Sequence, residues 1–132
     1  MKYVCIIVEA QDYNNCLEVM DAMEKLGFKK NVFYTTDNNS KYFKIVSESK
    51  LNEMGTKERL LYTCKEYSIA APYGGSRHVS LCRQIDFDKI HEVYGEQAIP
   101  VYIGAHEVGT GIEIDGDQDI NGIVADIIQN IR

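Results

Sequence analysis

The sequence predicts an α+β protein: a ferredoxin-like βαββαβ core over residues 1–85, with an appended helix–strand–helix extension over residues 86–132. Three observations predict it. The hydrophobic periodicity of the first 85 residues switches in the order strand, helix, strand, strand, helix, strand, the order of two interlocked split βαβ units. Asp37-Asn38-Asn39-Ser40 joins two β-rich stretches with residues that tolerate left-handed backbone, so the middle strands read as a hairpin. Beyond residue 85 the chain carries the strongest amphipathic stripe it has: Ile120, Ile123, Val124, Ile127, Ile128 and Ile131.

Residues 2–9 form a continuous apolar run, the pattern of a strand buried on both faces. Asp12 or Asn14 can cap the helix that follows, whose inward stripe is Cys16, Leu17, Met20, Met23 and Leu26, and Gly27 ends it. Residues 31–36 and 41–47 are the hairpin strands. A single helical turn is expected over 49–54. Thr56 then caps a helix with Leu60, Leu61, Cys64 and Tyr67 on one face, terminated by Pro72. Residues 76–85 alternate as a strand. Asp86 opens a short helix that buries Phe87, Ile90 and Tyr94 and stops at Gly95. Residues 98–103 form another strand, 110–114 a shorter one, and the amphipathic helix closes the chain.

At 132 residues, with 45% hydrophobic and 26% charged side chains, the chain has the size and composition of one globular domain. Charge is distributed unevenly. Residues 84–132 hold ten carboxylates against Lys89 and Arg132, a net of −8, while residues 1–83 are +2. This balance disfavours direct nucleic-acid binding, which needs clustered Lys and Arg. The first eight residues are too short an apolar run for a signal peptide, and no run approaches the ~18 residues of a membrane span. A cytoplasmic chain is expected, with Cys5, Cys16, Cys64 and Cys82 as buried thiols.

Two segments could carry chemistry. The first is Pro72-Tyr-Gly-Gly-Ser-Arg-His-Val-Ser-Leu-Cys-Arg83. Gly74 and Gly75 free the backbone to approach a ligand, and Tyr73, Arg77, His78 and Arg83 could surround a nucleotide or small anion. Strand alternation puts His78, Ser80 and Cys82 on one face. His78-Val-Ser-Leu81 is similar to the His-apolar-Ser/Thr-apolar element of the 2H phosphoesterases. The resemblance implies His78 as acid or base and Ser80 as the hydroxyl that holds phosphate oxygens. That family uses two facing elements; here His91-Glu-Val and His106-Glu-Val put valine at the hydroxyl position. Cys82, beside Arg83, is a weaker nucleophile candidate.

The second segment is Asp115-Gly-Asp-Gln-Asp-Ile-Asn-Gly122. Asp117, Asp119 and Asn121 follow the spacing of a calcium loop, with Gly122 at its turn, but Ile128 stands where the closing Glu belongs. Ile120 already belongs to the last helix, so Asp117 and Asp119 read instead as its cap and as negative charge at its positive end. No metal and no cofactor are expected.

The reading favoured by the residues is a small, acidic, non-enzymatic binding protein of inhibitor or regulatory type. Asp115, Asp117 and Asp119 would steer it toward a basic protein surface. Nine tyrosines, suited to interfaces, leave homo-oligomerisation open. Binding of an anionic small molecule at residues 72–83 is the alternative, and a phosphodiesterase centred on His78 and Ser80 comes third.

Overall fold

A computed structural model describes residues 2–10, 13–32, 49, 53, 77–105, 107 and 109–132. Five strands lie in one sheet: β1 (Lys2–Ile7), β2 (Lys29–Val32), β3 (Arg77–Cys82), β4 (Ala98–Ile103) and β5 (Ile112–Ile114). Their spatial order is β2-β3-β1-β4-β5, and every pair is parallel. The helices among the described residues are α1 (Tyr13–Lys25), α2 (Gln84–Tyr94) and α3 (Ile120–Ile131), with single 3-10 turns at Val8–Ala10 and Gly95–Gln97.

The protein is therefore mixed α/β, as expected, but the described strands do not form the antiparallel sheet of a ferredoxin-like core. The reason is visible in β1. Tyr3 through Ile7 are completely buried. A sheet with helices on one face only would leave half of them in water. Here α1 and α3 cover Val4, Ile6, Val79, Leu81, Val101 and Ile103. The opposite face, with Tyr3, Cys5, Ile7, Cys82, Ala98 and Tyr102, packs against Phe87 and Ile90 of α2. Helices on both faces are the normal setting of a parallel sheet. Nor is the acidic half an appendage, since β4 pairs with β1 from Tyr3↔Ala98 to Ile6↔Val101, at the centre of the sheet.

Asn31 and Val32, expected to open the hairpin, belong to β2, which starts at Lys29; the rest of the hairpin, within 33–48, and the second expected helix, within 54–76, lie outside the described residues. Within the expected turn at 49–54, the Glu53 amide donates to the Ser49 carbonyl at 3.2 Å, the i to i+4 bond of a helix. In α1, Cys16, Val19, Met20 and Met23 are buried. Leu26, expected in the same stripe, is instead 51% exposed. The helix stops one residue before it, and Gly27 turns the chain at φ 96° so that Phe28 enters the core in its place.

α3 begins as the sequence predicts. Asp119 is its N-cap, and its Oδ1 accepts the Gly122 amide at 2.8 Å. At the other end Lys2 Nζ donates to the Ile131 carbonyl, tying the last turn to the start of β1. Asp119→Ala is expected to cost about 1 kcal/mol, whereas Asp119→Asn should keep most of it. Chemical denaturation of the two variants checks this; equal losses would remove the capping role.

α2 starts two residues before the expected Asp86. Its N-cap, Arg83, makes no side-chain cap. The carboxylate of Glu9, arriving from the end of β1, accepts the Gln84 amide with both oxygens, at 2.9 and 3.1 Å. A capping group so distant in sequence is invisible to local pattern.

Candidate functional site

In a parallel sheet all strands deliver the chain to one edge, and the segments following them meet there. Ligands of such sheets favour the point where neighbouring strands hand the chain to opposite faces. Here β1 leads to α1 on one face and β3, its neighbour, leads to α2 on the other. Glu9 and the start of α2 fill that point with the bond just described. The surrounding side chains continue the network. Tyr102 Oη donates to Gln84 Oε1 at 2.6 Å, and Gln84 Nε2 donates to Asp88 at 3.0 Å. Gly109 lies so close to this group that a Cβ there would stand 2.3 Å from Tyr102 Oη. Burial and the nearby Asp88 raise the Tyr102 pKa, so its hydroxyl keeps its proton.

Asp86 is completely buried in the first turn of α2 and meets Arg83 Nε at 3.3 Å. The pairing keeps the buried carboxylate from standing as an uncompensated charge. Cys82, below it, is also completely buried. Hydrogen bonding with Cys5, then burial, push its thiol pKa well up. A protonated, enclosed thiol is a structural group and not a nucleophile.

Among the described residues the carboxyl edge is mostly acidic, with Arg83 paired to Asp86. Glu9 lies in the 3-10 turn after β1, Asp86 and Asp88 open α2, and Glu113, Asp115, Asp117 and Asp119 flank and follow the end of β5. The segments touch: a Cβ on Gly104, after β4, would lie 3.6 Å from the Ala10 carbonyl, and one on Gly116 would lie 3.6 Å from Gly104. Gly104, Ala105, Glu113, Asp115 and Asp117 line an open depression. Asp115 Oδ1 accepts the Asp117 amide at 2.9 Å, and Gln118 Nε2 bridges the Asp115 carbonyl and Asp126 at 2.8 Å each. Among the described residues, Asp115, Asp117 and Asp119 meet no basic side chain. Asp119 is committed to its cap, and Asn121 sits in the first turn of α3. No group of three His, Cys, Asp or Glu side chains able to hold a metal occurs among the described residues.

The opposite, amino edge carries most of the described basic side chains, together with Glu24, Glu92 and Glu96. Lys2, Lys29 and Arg77 start their strands there, Lys25 and Arg132 end α1 and α3 there, and Lys30 follows Lys29. Lys30 pairs with Asp21 at 2.8 Å and Glu24 at 3.5 Å. Most of the described basic side chains thus gather at one edge of the sheet, and Asp115, Asp117 and Asp119 at the other.

Of the segment 72–83, the described part is β3, which starts at this amino edge with Arg77 and delivers Arg83 to the switch point. Tyr73, Gly74 and Gly75 lie outside the described residues. The Arg77 guanidinium stacks 4.6 Å over the Phe28 ring and donates to the Leu26 carbonyl at 2.7 Å. Arg83 is at the far end of β3, paired with Asp86. His78 and Ser80 do share a face, as strand alternation requires, but that face is interior. Ser80 is hydrogen-bonded to Tyr3 Oη at 2.7 Å, and the His78 ring packs 5.9 Å from the Tyr3 ring. Burial, aided by Lys29, lowers the His78 pKa to about 4, so the imidazole is neutral at pH 7.

Glu9 is the site residue that the sequence reading missed. A carboxylate placed directly after a fully apolar strand is a faint signal, and only the parallel pairing of β1 with β3 brings it to α2.

No helix among the described residues is long and apolar enough to cross a membrane. Comparison with known proteins finds no matching family model, no similar curated protein and no similar solved structure.

Proposed function

We propose that the protein acts without catalysis, as a stoichiometric binding protein whose acidic carboxyl edge engages a basic protein surface. One observation carries this reading. Asp115 and Asp117 stand exposed at the edge of the sheet where parallel α/β proteins bind their ligands, with no basic side chain to neutralise them among the described residues. Uncompensated charge of one sign raises association rates and selects partners of the opposite sign. The buried, neutral His78 and the protonated Cys82 lend no support to acid–base or nucleophilic chemistry in the described part. Among the described residues, Cys5, Cys16 and Cys82 are buried thiols outside any disulfide, which suits a reducing, cytoplasmic setting.

The experiment is affinity capture from host lysate with the wild type and with an Asp115→Lys, Asp117→Lys double variant. Both positions are exposed and neither caps a helix through its side chain, so the variant should melt near the wild-type temperature. The captured protein should be basic, should elute with salt, and should bind the variant more weakly by roughly tenfold or more, about 1.4 kcal/mol. Undiminished capture by a folded variant would refute the acidic edge as the binding surface.

A further inference from the structure

We propose that Cys82 is a gated thiol-modification site: the first turn of α2, latched by Glu9, closes over its sulfur, and opening of that turn delivers the sulfur to small disulfides. Cys82 is the last residue of β3 and Arg83 is the N-cap of α2, so the thiol sits at the junction of strand and helix. Cys5 is its diagonal neighbour on β1 and shares its face, because the register pairs Cys5 with Ser80 and Ile7 with Cys82. Both cysteines are completely buried. Hydrogen bonding with Cys5, then burial, then the nearby Asp86 and Glu9 carboxylates keep the proton on Cys82 while the turn is closed.

Few interactions hold the turn shut. Arg83 supplies no side-chain cap, and the Asp86 and Phe87 amides both bond to the Arg83 carbonyl at 3.0 Å. The Gln84 amide is one of the helix-start donors without an intrahelical partner, and Glu9, from the far side of the strand pair, accepts it. Ile85 is 54% exposed, so lifting the turn uncovers little apolar surface before Phe87, where the packed part of α2 begins. Lifting it also returns the buried Asp86 carboxylate to water, which offsets part of the cost. Local openings of this kind need far less free energy than global unfolding. The other described cysteines have no such route. Cys5 lies in the middle of β1 between β3 and β4, and Cys16 lies in the core beneath α1.

With the turn open, the thiol is solvated and loses its proton to water as an ordinary thiol does. The thiolate attacks one sulfur of a low-molecular-weight disulfide. That sulfur–sulfur bond breaks, a new one forms to Cys82, and the other half leaves as a thiolate that takes up a proton. The Cys82 sulfur is oxidised and the leaving sulfur is reduced, so no further oxidant enters. The adduct adds bulk to a space that holds a bare thiol. The turn cannot close over it, and the bond from Gln84 to Glu9 stays broken until a reducing thiol reverses the exchange. Cys82 thereby makes the start of α2, at the switch point, sensitive to redox state.

Labelling of the full chain with dithiodipyridine, a small aromatic disulfide, tests the gate, with peptide mapping to locate the label. Cys82 should react ahead of Cys5 and Cys16, yet far more slowly than the same thiol in urea. Glu9→Ala should speed Cys82 roughly fivefold, the effect of losing an N-cap, and Glu9→Gln, which keeps an acceptor oxygen, should speed it less. Asp119→Ala, a comparable loss at the start of α3, should speed Cys5 and Cys16 but leave Cys82 unchanged, because α3 stays folded when the first turn of α2 opens. In protein labelled only at Cys82, the amides at the start of α2 should exchange faster while those of α3 keep their protection. Cys82 reacting no sooner than Cys5 overturns the proposal. So does equal acceleration of Cys82 by Asp119→Ala and Glu9→Ala, since the thiol would then emerge only on global unfolding. A Cys82 rate indifferent to both Glu9 variants, or unchanged exchange at the start of α2 after labelling, removes the latch. Asp115 and Asp117 take no part, so the result is independent of the capture experiment.

Discussion

Phe28→Ala is expected to lower the unfolding free energy by about 3–5 kcal/mol, the usual range for truncating a buried phenylalanine. The ring is 2% exposed and packs in the cluster with Met20, Met23 and Val79. Its truncation opens a cavity where α1 turns into β2. It also removes the platform of the Arg77 guanidinium, 4.6 Å above the ring, and with it an attraction of roughly 0.5–1 kcal/mol. Arg77 would still donate to the Leu26 carbonyl. Urea unfolding is the measurement: the midpoint should fall with the slope unchanged. Phe28→Leu, which keeps most of the volume, should cost under about 1.5 kcal/mol. A loss below about 1 kcal/mol for the alanine variant would show that the ring is not packed as described.

The second large effect is acid sensitivity centred on His78. Its folded pKa of about 4 lies below the value near 6.5 of an unfolded chain. Between these values the unfolded state binds the proton and the folded state does not. The contribution to stability is full above pH 6.5, shrinks as pH falls toward 4, and is constant below that. Allowing for partial solvent screening, the loss is on the order of 2 kcal/mol. Carboxylates also titrate here, so the informative comparison is with His78→Phe, which keeps the aromatic contact with Tyr3. It also removes a buried Nε2 that has no hydrogen-bond partner among the described residues. The variant should match the wild type at neutral pH or exceed it, and its stability should fall less between pH 6.5 and 4. Parallel pH profiles for the two proteins would mean that His78 titrates normally.

Both predictions concern groups that the sequence presents ambiguously. His78-Val-Ser-Leu81 has the spelling of half a phosphoesterase site, and alternation alone places His78 and Ser80 together. Alternation does not say which face is wet. The parallel pairing on both sides of β1 and the coverage by α2 turn that face inward. Tyr3, far away in sequence, then uses the hydroxyl of Ser80. Leu26 shows the converse: an apolar residue at helical spacing left in solvent because the helix ends first.

The capped start of α3 shows the opposite case. Every group involved lies within four residues, so Asp117, Asp119 and the stripe from Ile120 onward predict the helix and a carboxylate at its capped start. The strand at 98–103, the stop at Gly95 and the turn at Gly27 are local in the same sense. Propensity, capping and glycine conformation act between near neighbours, and their spelling is their physics.

The sequence by itself therefore determined the elements that depend on near neighbours, the doubly buried character of β1, and the excess of negative charge in the last third. Tertiary structure alone decided the strand order, the parallel sense of the sheet, the Glu9 cap on α2, and which charges share an edge of the sheet. Strand pairing is made by backbone groups that every residue carries, so the chain does not spell out which strands meet. Once they do meet, a parallel sheet brings all strand ends to one side, and carboxylates far apart in sequence become a single surface.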